Sequence, residues 1–467
     1  MSQPEHPSPR TLSSLAHAEL QHTFGHRYSS ALAIRLHHGR DESSLDAPPP
    51  DAVVHAESTD DVIECVRFAA AHRVPLIPFG AGSSLEGHVL ATEGGICLDL
   101  SRLNSILNVD TADQTATVQA GVTRNQLNEH LRDTGLFFSV DPGADATLGG
   151  MCATGASGTN AVRYGTMREN VRGLSVVTAA GQVARTGTRA RKSSSGYDLT
   201  RLFIGSEGTL GVITEVTVRL HPQPESVAVA ICHFPDVGAA VRAASSAIQL
   251  GIPIARCELL DQMAVRAVNQ HSTLGLREAP LLLLEFHGSA TAVAEQAAAM
   301  QALTEEQAGL GFEWATTPES RSRLWRARHM AYFASLQLKP GSRCVTTDVC
   351  VPISRLAQCI EATRQDVDRS GLTATMLGHV GDGNFHVLML IDPSRADERA
   401  AAEQINDALT ERALSMDGTC TGEHGIGLHK MRFLLREHGE EAIQLMRSIK
   451  QAWDPDRIMN PGKIFAS

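Results

Sequence analysis

The chain has 467 residues, a formal net charge of −11 and 42% hydrophobic residues. At about 150 residues per domain, this length predicts two or three domains with sizeable cores. The excess of acidic over basic residues excludes a broadly basic nucleic-acid-binding surface. The nine cysteines are scattered and form no CxxC pair, which predicts a reduced, intracellular protein without a disulfide framework.

Neither a membrane span nor an export signal is predicted. No apolar run approaches the roughly 18 residues that a membrane-spanning helix needs. The first ten residues contain three prolines and no apolar core, so we expect neither a signal peptide nor a transit peptide. We therefore expect a cytoplasmic protein, and a peripheral position at the inner face of a membrane stays open.

In chain order, residues 1–47 predict an N-terminal helical arm with a helix over residues 12–23, which Pro48-Pro49-Pro50 ends. Residues 48–225 then predict a first domain in which strands alternate with helices. Its predicted elements are strands over 52–56, 74–77 and 96–100, a helix capped by Ser58 or Thr59, a hairpin over 106–122 and a helix over 123–135.

Residues 226–417 predict a second domain with a mostly antiparallel sheet. Strand candidates at 227–232, 254–260 and 281–286 alternate with helix candidates at 237–250 and 290–303. Residues 418–467 form a C-terminal segment with a helix over 440–453, which we expect to complete the active site and return to the first domain. The fold class is therefore α+β.

Three stretches of glycine and other small residues lie in the first domain, at 80–88, 141–158 and 205–213. In such loops the backbone N–H groups can approach a phosphate-bearing ligand closely. The first loop alone leaves a phosphate cradle and an ordinary strand turn equally open. It does not satisfy the Rossmann fingerprint, although Asp99 near the end of the next strand matches the expected acidic residue. The three stretches together favour a large ligand lying along the backbone.

A second group of motifs points to a metal ion. The Asp382-Gly383 pair predicts a hairpin with its turn at 381–384, which places His379 opposite His386, with Cβ atoms about 5 Å apart. Glu423, in a glycine loop, offers a third ligand, and this set suits Zn²⁺, Mn²⁺ or Fe²⁺. The alternative is a pair of strand-end histidines beside an unrelated turn. His424 can stand beside the metal as a general base.

These motifs resemble the FAD-dependent oxidoreductases of the vanillyl-alcohol oxidase type. The branch that they match contains D-lactate dehydrogenases, glycolate oxidase subunits and D-2-hydroxyglutarate dehydrogenases. The resemblance is carried by residues 80–88, 155–166 and 205–213 and runs from about residue 50 to the end of the chain. It implies a two-subdomain FAD-binding domain of the PCMH type over 48–225 and an α+β substrate or cap domain. FAD would be held non-covalently, so His88 is expected to pack near the diphosphate and not to carry the flavin.

The resemblance also implies which residues bind the cofactor. They belong to the three glycine stretches, the end of the preceding strand and the C-terminus, and they are Pro78, Gly80, Ala81, Gly82, Ser83, Ser84, Gly87, His88, Pro142, Gly143, Thr147, Gly149, Gly150, Ala153, Thr154, Ser157, Gly158, Glu207, Gly208, Gly211, Ile213 and Asn460.

For the reaction, the resemblance implies that Arg328, on a helix from Trp325 to Leu338, binds the substrate carboxylate. His379, His386, Asn384 and His424 would also contact the substrate. Arg326 should face solvent, and His429 is expected at the surface. Thr346-Thr347 stands where dicarboxylate-oxidising relatives carry a lysine, which favours a small monocarboxylate.

We therefore expect an FAD- and metal-dependent D-2-hydroxyacid dehydrogenase that oxidises D-lactate to pyruvate. A quinone, a cytochrome or an electron-transfer flavoprotein would accept the electrons. Glycolate, D-2-hydroxyglutarate or a longer-chain acid stays open as substrate, and so does a homodimer. A metallohydrolase and a non-catalytic flavin-binding subunit are the less favoured alternatives.

Overall fold

The computed structural model describes residues 10–466 of the chain. Residues 1–9, the beginning of the expected helical arm, lie outside the described residues. The chain forms two compact units. The first comprises Met1–Ser157, Thr166–Pro222 and Glu423–Ser467, and the second comprises Gly158–Gly165 and Gln223–Gly422.

The α-helices and strands alternate along most of the chain. The helices are α1 (Ser14–Phe24), α2 (Leu32–His38), α3 (Thr59–His72), α4 (Arg124–Leu131), α5 (Leu148–Thr154), α6 (Ala161–Tyr164), α7 (Met167–Asn170), α8 (Leu199–Phe203), α9 (Val237–Gln249), α10 (Gln262–His271), α11 (Ala290–Glu306), α12 (Pro318–Leu336), α13 (Ile353–Ser370), α14 (Ala396–Ser415) and α15 (Leu434–Trp453). The strands are β1 (Tyr28–Ser29), β2 (Ala52–His55), β3 (Leu76–Phe79), β4 (Ile96–Asp99), β5 (Ile106–Asp110), β6 (Thr115–Gln119), β7 (Leu136–Phe137), β8 (Val171–Val177), β9 (Val183–Gly187), β10 (Val212–Arg219), β11 (His221–Pro222), β12 (Ser226–His233), β13 (Ile254–Leu260), β14 (Leu281–Gly288), β15 (Phe312–Ala315), β16 (Arg343–Thr346), β17 (Val349–Cys350), β18 (Thr373–His379) and β19 (Asn384–Ile391).

The first unit contains separate sheets. One has the order β1-β2-β4-β3, in which β2 and β3 both run parallel to β4. The other, β5-β6-β10-β8-β9, is antiparallel, and β7 pairs with β11. The glycine loop at 80–88 therefore begins at the carboxyl end of a parallel strand, which is the edge where ligands bind in open α/β sheets.

Local signals explain several elements of the first unit. Ser58 caps α3, which is one of the two caps that the sequence predicts, and it forms a capping box with Asp61. The strand predicted at 74–77 begins two residues later, because the N–H of Val74 bonds Ala69 at the end of α3 and Pro75 has no N–H to donate. The region 142–170 holds only short helices among its described residues, and Gly155 and Gly165 end two of them.

The second unit is built on one sheet with the order β15-β12-β14-β13-β18-β19-β16, and β17 pairs with β19. All of these pairings are antiparallel, so the predicted antiparallel sheet is confirmed. The helix expected from Trp325 begins earlier, at Pro318, where Thr317 caps it. No helix within residues 10–466 is long and apolar enough to cross a membrane.

The hairpin of β18 and β19 forms, but its predicted register is wrong. Leu377, and not His379, lies opposite His386, so the pairing differs by two residues and the turn covers residues 380–383. A Cβ at Gly378 would lie 2.5 Å from the Cα of Phe385, so only glycine fits at that point. The predicted register would put Val380 there. Because a shift of two preserves the faces of a strand, both histidines remain on one face.

Candidate active site

The glycine stretches of the first unit lie against one another. A Cβ at Gly80 would be 2.4 Å from Thr147 Oγ1, which brings the first loop against the second stretch. The backbone N–H of Glu207, in the third stretch, donates to the carbonyl oxygen of Ala153 over 2.8 Å. The structure thus brings together the stretches that the sequence assigns to one ligand.

Some of these glycines are required by the chain itself. Gly82 has φ +66°, and a Cβ there would meet the Phe79 ring at 2.8 Å. Gly87 has φ +81°, and a Cβ there would meet Leu45 at 2.9 Å. A bulky substitution at either position would therefore disturb the loop whether or not a cofactor binds.

Buried polar atoms near these loops supply a test of whether the residues fit FAD. Asn460 Nδ2 donates to the carbonyl oxygens of His88 and Glu207 over 3.0 and 2.7 Å. Asn460 Oδ1 and His88 Nδ1 are buried and make no hydrogen bond to the described residues. Burial disfavours a charged ring, but the carboxylate of Glu207, 3.4 Å away, outweighs it and raises the pKa of His88. Buried polar atoms of this kind fit a polar cofactor such as FAD.

The side chain of Glu207 has a role that the sequence did not indicate. Its carboxylate accepts hydrogen bonds from the backbone N–H groups of Ile426 and Gly427 over 2.6 and 2.8 Å. This fixes the loop that carries His424. Glu207 therefore positions the loop, and its side chain is not directed solely at a cofactor.

Glu86 lies in the first glycine loop and is 1% exposed. Its carboxylate lies 3.0 Å from His429 Nδ1, 3.3 Å from Lys430 Nζ and 3.6 Å from His424 Nδ1. Burial would raise its pKa, but Lys430 and the two imidazoles hold the pKa of Glu86 well below its usual range. The resulting anion lies beside His424 Nδ1, just beyond hydrogen-bonding distance. His429 is a half-buried partner of this anion, so the expectation of a surface residue is wrong.

In the second unit, the rings of His379 and His386 lie 5.7 Å apart between centroids. His379 Nδ1 is 2.7 Å from Glu258 Oε1, and His386 Nδ1 is 3.1 Å from the carbonyl oxygen of Thr347. Because each Nδ1 faces an acceptor, each carries the proton and leaves the lone pair on Nε2. Metal-binding histidines show this arrangement, so the pair fits a divalent ion.

Asp348 organises the neighbouring segments. Its Oδ1 accepts from Asn384 Nδ2 over 2.6 Å, and its Oδ2 accepts from Thr421 Oγ1 and the Gly422 N–H over 2.7 and 2.8 Å. The Oδ1 atom of Asn384 is buried and accepts no hydrogen bond from the described residues, which suits a donor on a substrate. Glu423 is the next residue along the chain and begins the last segment of the first unit. Its role as a third ligand stays a prediction.

Glu258 connects the histidine pair to Arg328. This fully buried carboxylate accepts from Arg328 Nε over 2.7 Å and from His379 through its other oxygen. Burial would raise its pKa, but these two partners hold the pKa of Glu258 below its ordinary value. Because Nε donates to Glu258, a carboxylate bound by Arg328, as the sequence predicts, would be bound through its Nη groups. Arg326 is exposed, as the sequence predicts.

Sequence reasoning missed Glu86, Glu258 and Asp348. For Glu258 a signal existed, because Arg256 and Glu258 lie on one face of an otherwise apolar strand. Glu86 is the only acidic residue of its glycine loop. A charged residue inside an apolar strand or a small-residue loop was therefore a signal for two of these three residues, Glu258 and Glu86.

The remaining predicted cofactor residues are distributed over the loops and ends of nearby elements. The loop after β3 contains Ala81, Ser83 and Ser84. Helix α5 contains Gly149, Gly150 and Thr154, is preceded by Pro142 and Gly143 and is followed by Ser157. The loop after α8 contains Gly208, and the second unit contains Gly158. Gly211 and Ile213 lie at the beginning of β10, and the Ile213 side chain is part of the hydrophobic core. That side chain is therefore committed to packing.

Comparisons with known proteins identify related families and proteins. The sequence matches the family "FAD linked oxidases, C-terminal domain" over residues 223–464 and "FAD binding domain" over residues 50–187. It is 49% identical to "Probable D-lactate dehydrogenase, mitochondrial" of Danio rerio, over 93% of this chain and 88% of that protein. It is 45% identical to the mitochondrial D-lactate dehydrogenase (cytochrome) of Arabidopsis thaliana, over 92% of this chain and 76% of that protein.

A solved structure shows the fold. The chain superimposes on p-cresol methylhydroxylase with a TM-score of 0.78, covering 98% of this chain and 99% of that one. The sequences are 17% identical, so this likeness concerns the fold alone. It confirms the predicted PCMH-type architecture.

Proposed function

Because the chain belongs to the family of FAD-linked oxidases, we propose that it is an FAD- and metal-dependent D-2-hydroxyacid dehydrogenase that oxidises D-lactate to pyruvate. The relatives named D-lactate dehydrogenase support this substrate. The observation that carries the proposal is the buried Glu258, which holds both Arg328 and His379. A carboxylate-binding cation and an imidazole suited to a metal are thereby fixed at one place.

The protein's own residues would bind and orient the substrate. Arg328 would hold the carboxylate through its Nη groups, and Asn384 would contact the substrate beside it. The proposed metal ligands are His379, His386 and Glu423. When bound, a divalent ion of zinc, manganese or iron would polarise the substrate oxygens and favour loss of the hydroxyl proton.

Oxidation removes two electrons and two protons from the substrate. His424, whose Nδ1 lies 3.6 Å from Glu86 Oε1, would take the hydroxyl proton as general base. When bound, FAD supplies the oxidising power by accepting the C2 hydrogen with its electron pair. The residues that would hold it non-covalently lie in the three glycine stretches and at Asn460. The keto acid then leaves, and the electrons pass to an acceptor other than NAD.

Substrate size follows from the residues beside the histidine pair. Thr347 is fully buried, and its Oγ1 accepts a hydrogen bond from the backbone N–H of Val387. Thr346 is the last residue of β16. Neutral hydroxyls at these positions support a monocarboxylate over a dicarboxylate such as D-2-hydroxyglutarate.

The proposal extends to the cellular setting. We propose a quinone, a cytochrome or an electron-transfer flavoprotein as acceptor, and a cytoplasmic chain that can associate peripherally with the membrane. A homodimer is part of the same proposal.

The test is the absorption spectrum of the purified, FAD-loaded protein under anaerobic conditions. D-lactate should bleach the flavin bands, faster than L-lactate, glycolate or D-2-hydroxyglutarate at equal concentration. His424→Asn should slow flavin reduction by about 10²–10⁴-fold and keep its flavin, whereas the exposed His438→Asn serves as the matched control. If none of these acids bleaches the flavin, the proposal is wrong.

A further inference from the structure

A second cluster of potential metal ligands lies in the first unit. His38 ends α2, His55 ends β2 and Asp99 ends β4. Strands β2 and β4 are parallel, with His55 directly across from Asp99. The register therefore places two of the three side chains at the same edge of the sheet, and α2 supplies the third. None of these residues takes part in the mechanism above.

The three side chains converge on one oxygen atom. Asp99 Oδ2 lies 3.0 Å from His38 Nε2 and 2.9 Å from His55 Nδ1. The three potential ligand atoms lie within 4.8 Å of one another. Two imidazoles and one carboxylate at this spacing form a donor set that suits Zn²⁺ and neighbouring transition metals.

The surrounding contacts orient the ligands as a metal site requires. His38 Nδ1 lies 2.9 Å from the carbonyl oxygen of Ile34, so Nδ1 carries a proton and Nε2 is the ring atom directed at Asp99. The other carboxylate oxygen, Oδ1, accepts the N–H of Ser101 over 2.7 Å. Without a metal ion, a proton on Nε2 makes this 3.0 Å contact a hydrogen bond. A proton can join Asp99 to only one of the two imidazole rings at a time, whereas a metal ion can bind all three side chains.

Burial differs among the three ligands in a way that leaves room for solvent. The side chains of His38 and Asp99 are 5% and 7% exposed, and that of His55 is 18% exposed. The ring of Phe79 packs against His38 with centroids 4.7 Å apart. One side of the cluster is therefore closed and apolar, and the other can admit the water molecules that complete the coordination of a metal ion.

From this geometry we propose that His38, His55 and Asp99 bind a structural divalent ion, with Zn²⁺ the ion that the donors suit best. The ion would join α2 to β2 and β4. Phe79 lies across from Asp99 in the parallel register and directly precedes the loop that begins at Gly80. Metal binding would therefore stiffen the base of the loop that we assign to the flavin.

The first test counts zinc in the FAD-loaded full chain. The protein is stripped with a chelator, incubated with excess Zn²⁺ and desalted, and zinc per chain is measured by mass spectrometry. His55→Phe should contain one zinc ion fewer than the unmodified protein, and Zn²⁺ should raise its Tm less. His37→Phe removes an exposed histidine one residue before His38 and should match the unmodified protein. The subtraction is independent of the proposed catalytic metal, since all three proteins share that site.

A second measurement needs no variant. Diethyl pyrocarbonate modifies accessible neutral imidazoles, and peptide mapping follows each histidine separately. Zn²⁺ should slow the modification of His55 several-fold and leave that of His37 unchanged. Equal zinc content in His55→Phe and the unmodified protein, or unchanged modification of His55 in Zn²⁺, would overturn the proposal and leave the cluster as an ion pair only.

Discussion

The two units use different parts of the chain for their proposed tasks. In the first unit, backbone loops come together, and side chains such as Glu207 and Asn460 tie these loops to one another. In the second unit, side chains form the site, and the buried carboxylates Glu258 and Asp348 hold them in place. A cofactor held mainly by backbone and a substrate held by side chains should respond differently to substitution. Variants of the second unit should keep flavin and lose turnover, whereas variants that break the contacts tying the glycine loops of the first unit together should lose flavin.

The largest effect is expected at His386. His386→Ala should lower kcat by about 10³-fold, because metal polarisation contributes several kcal/mol, and should leave the flavin content unchanged. Metal analysis and the flavin spectrum of the same sample check both parts. Loss of flavin together with metal would break the comparison, because it would show that one site depends on the other. Activity that survives both chelation and this substitution would contradict the metal proposal.

Arg328 should give the next largest effect. A lysine keeps the charge but lacks the planar set of donors that binds Glu258 and a carboxylate together. Arg328→Lys should therefore lower kcat/KM by about 10- to 100-fold, mainly through KM. The exposed Arg326→Lys on the same helix is the matched control and should behave as the unmodified enzyme. Equal KM values in the two variants would remove Arg328 from the substrate site.

A substitution at Asn460 tests the first unit, where contacts between loops are expected to hold the flavin. Asn460→Ala removes two buried hydrogen bonds, to the carbonyl oxygens of His88 and Glu207, and should lower the free energy of unfolding by roughly 2 kcal/mol. The protein should be purified with less flavin per chain. In the fraction that keeps flavin, the reduction rate should match that of the unmodified enzyme. Asn125→Ala, at an exposed asparagine of the same unit, is the control. Full flavin content in Asn460→Ala would contradict the role of these loops.

Local sequence patterns predicted the features that depend on local physics. The Ser58 cap and the strand of residues 254–260 follow from capping and strand patterns in the sequence. The register of the hairpin of β18 and β19 could not be predicted in this way, because the close approach of Gly378 to Phe385 depends on packing between strands. The role of Glu86 could not be predicted either, since its partner His429 lies 343 positions further along the chain.

The smallest predicted effect concerns pH and the first unit. His221 lies in β11, and its Nε2 is 2.8 Å from Asn170 Oδ1. Burial, with smaller effects of Arg219 and Arg172, lowers the pKa of His221 to about 4. Between pH about 6.5, the ordinary value for histidine, and pH about 4, the unfolded chain binds more protons than the folded one. The free energy of unfolding should therefore fall as the pH falls through this window, by on the order of 1–2 kcal/mol for this group.

His221→Gln can keep the hydrogen bond to Asn170 without titrating, so its stability should depend less on pH in the same window. Denaturant titrations at pH 7 and pH 5, followed by flavin fluorescence, measure the difference. The two proteins should differ little at pH 7, and the variant should lose less stability on going to pH 5. Such a result sharpens the comparison, because it assigns part of the acid sensitivity to the unit that holds the flavin. Parallel pH dependences in the two proteins would show that His221 does not titrate on unfolding and that other groups cause the loss of stability.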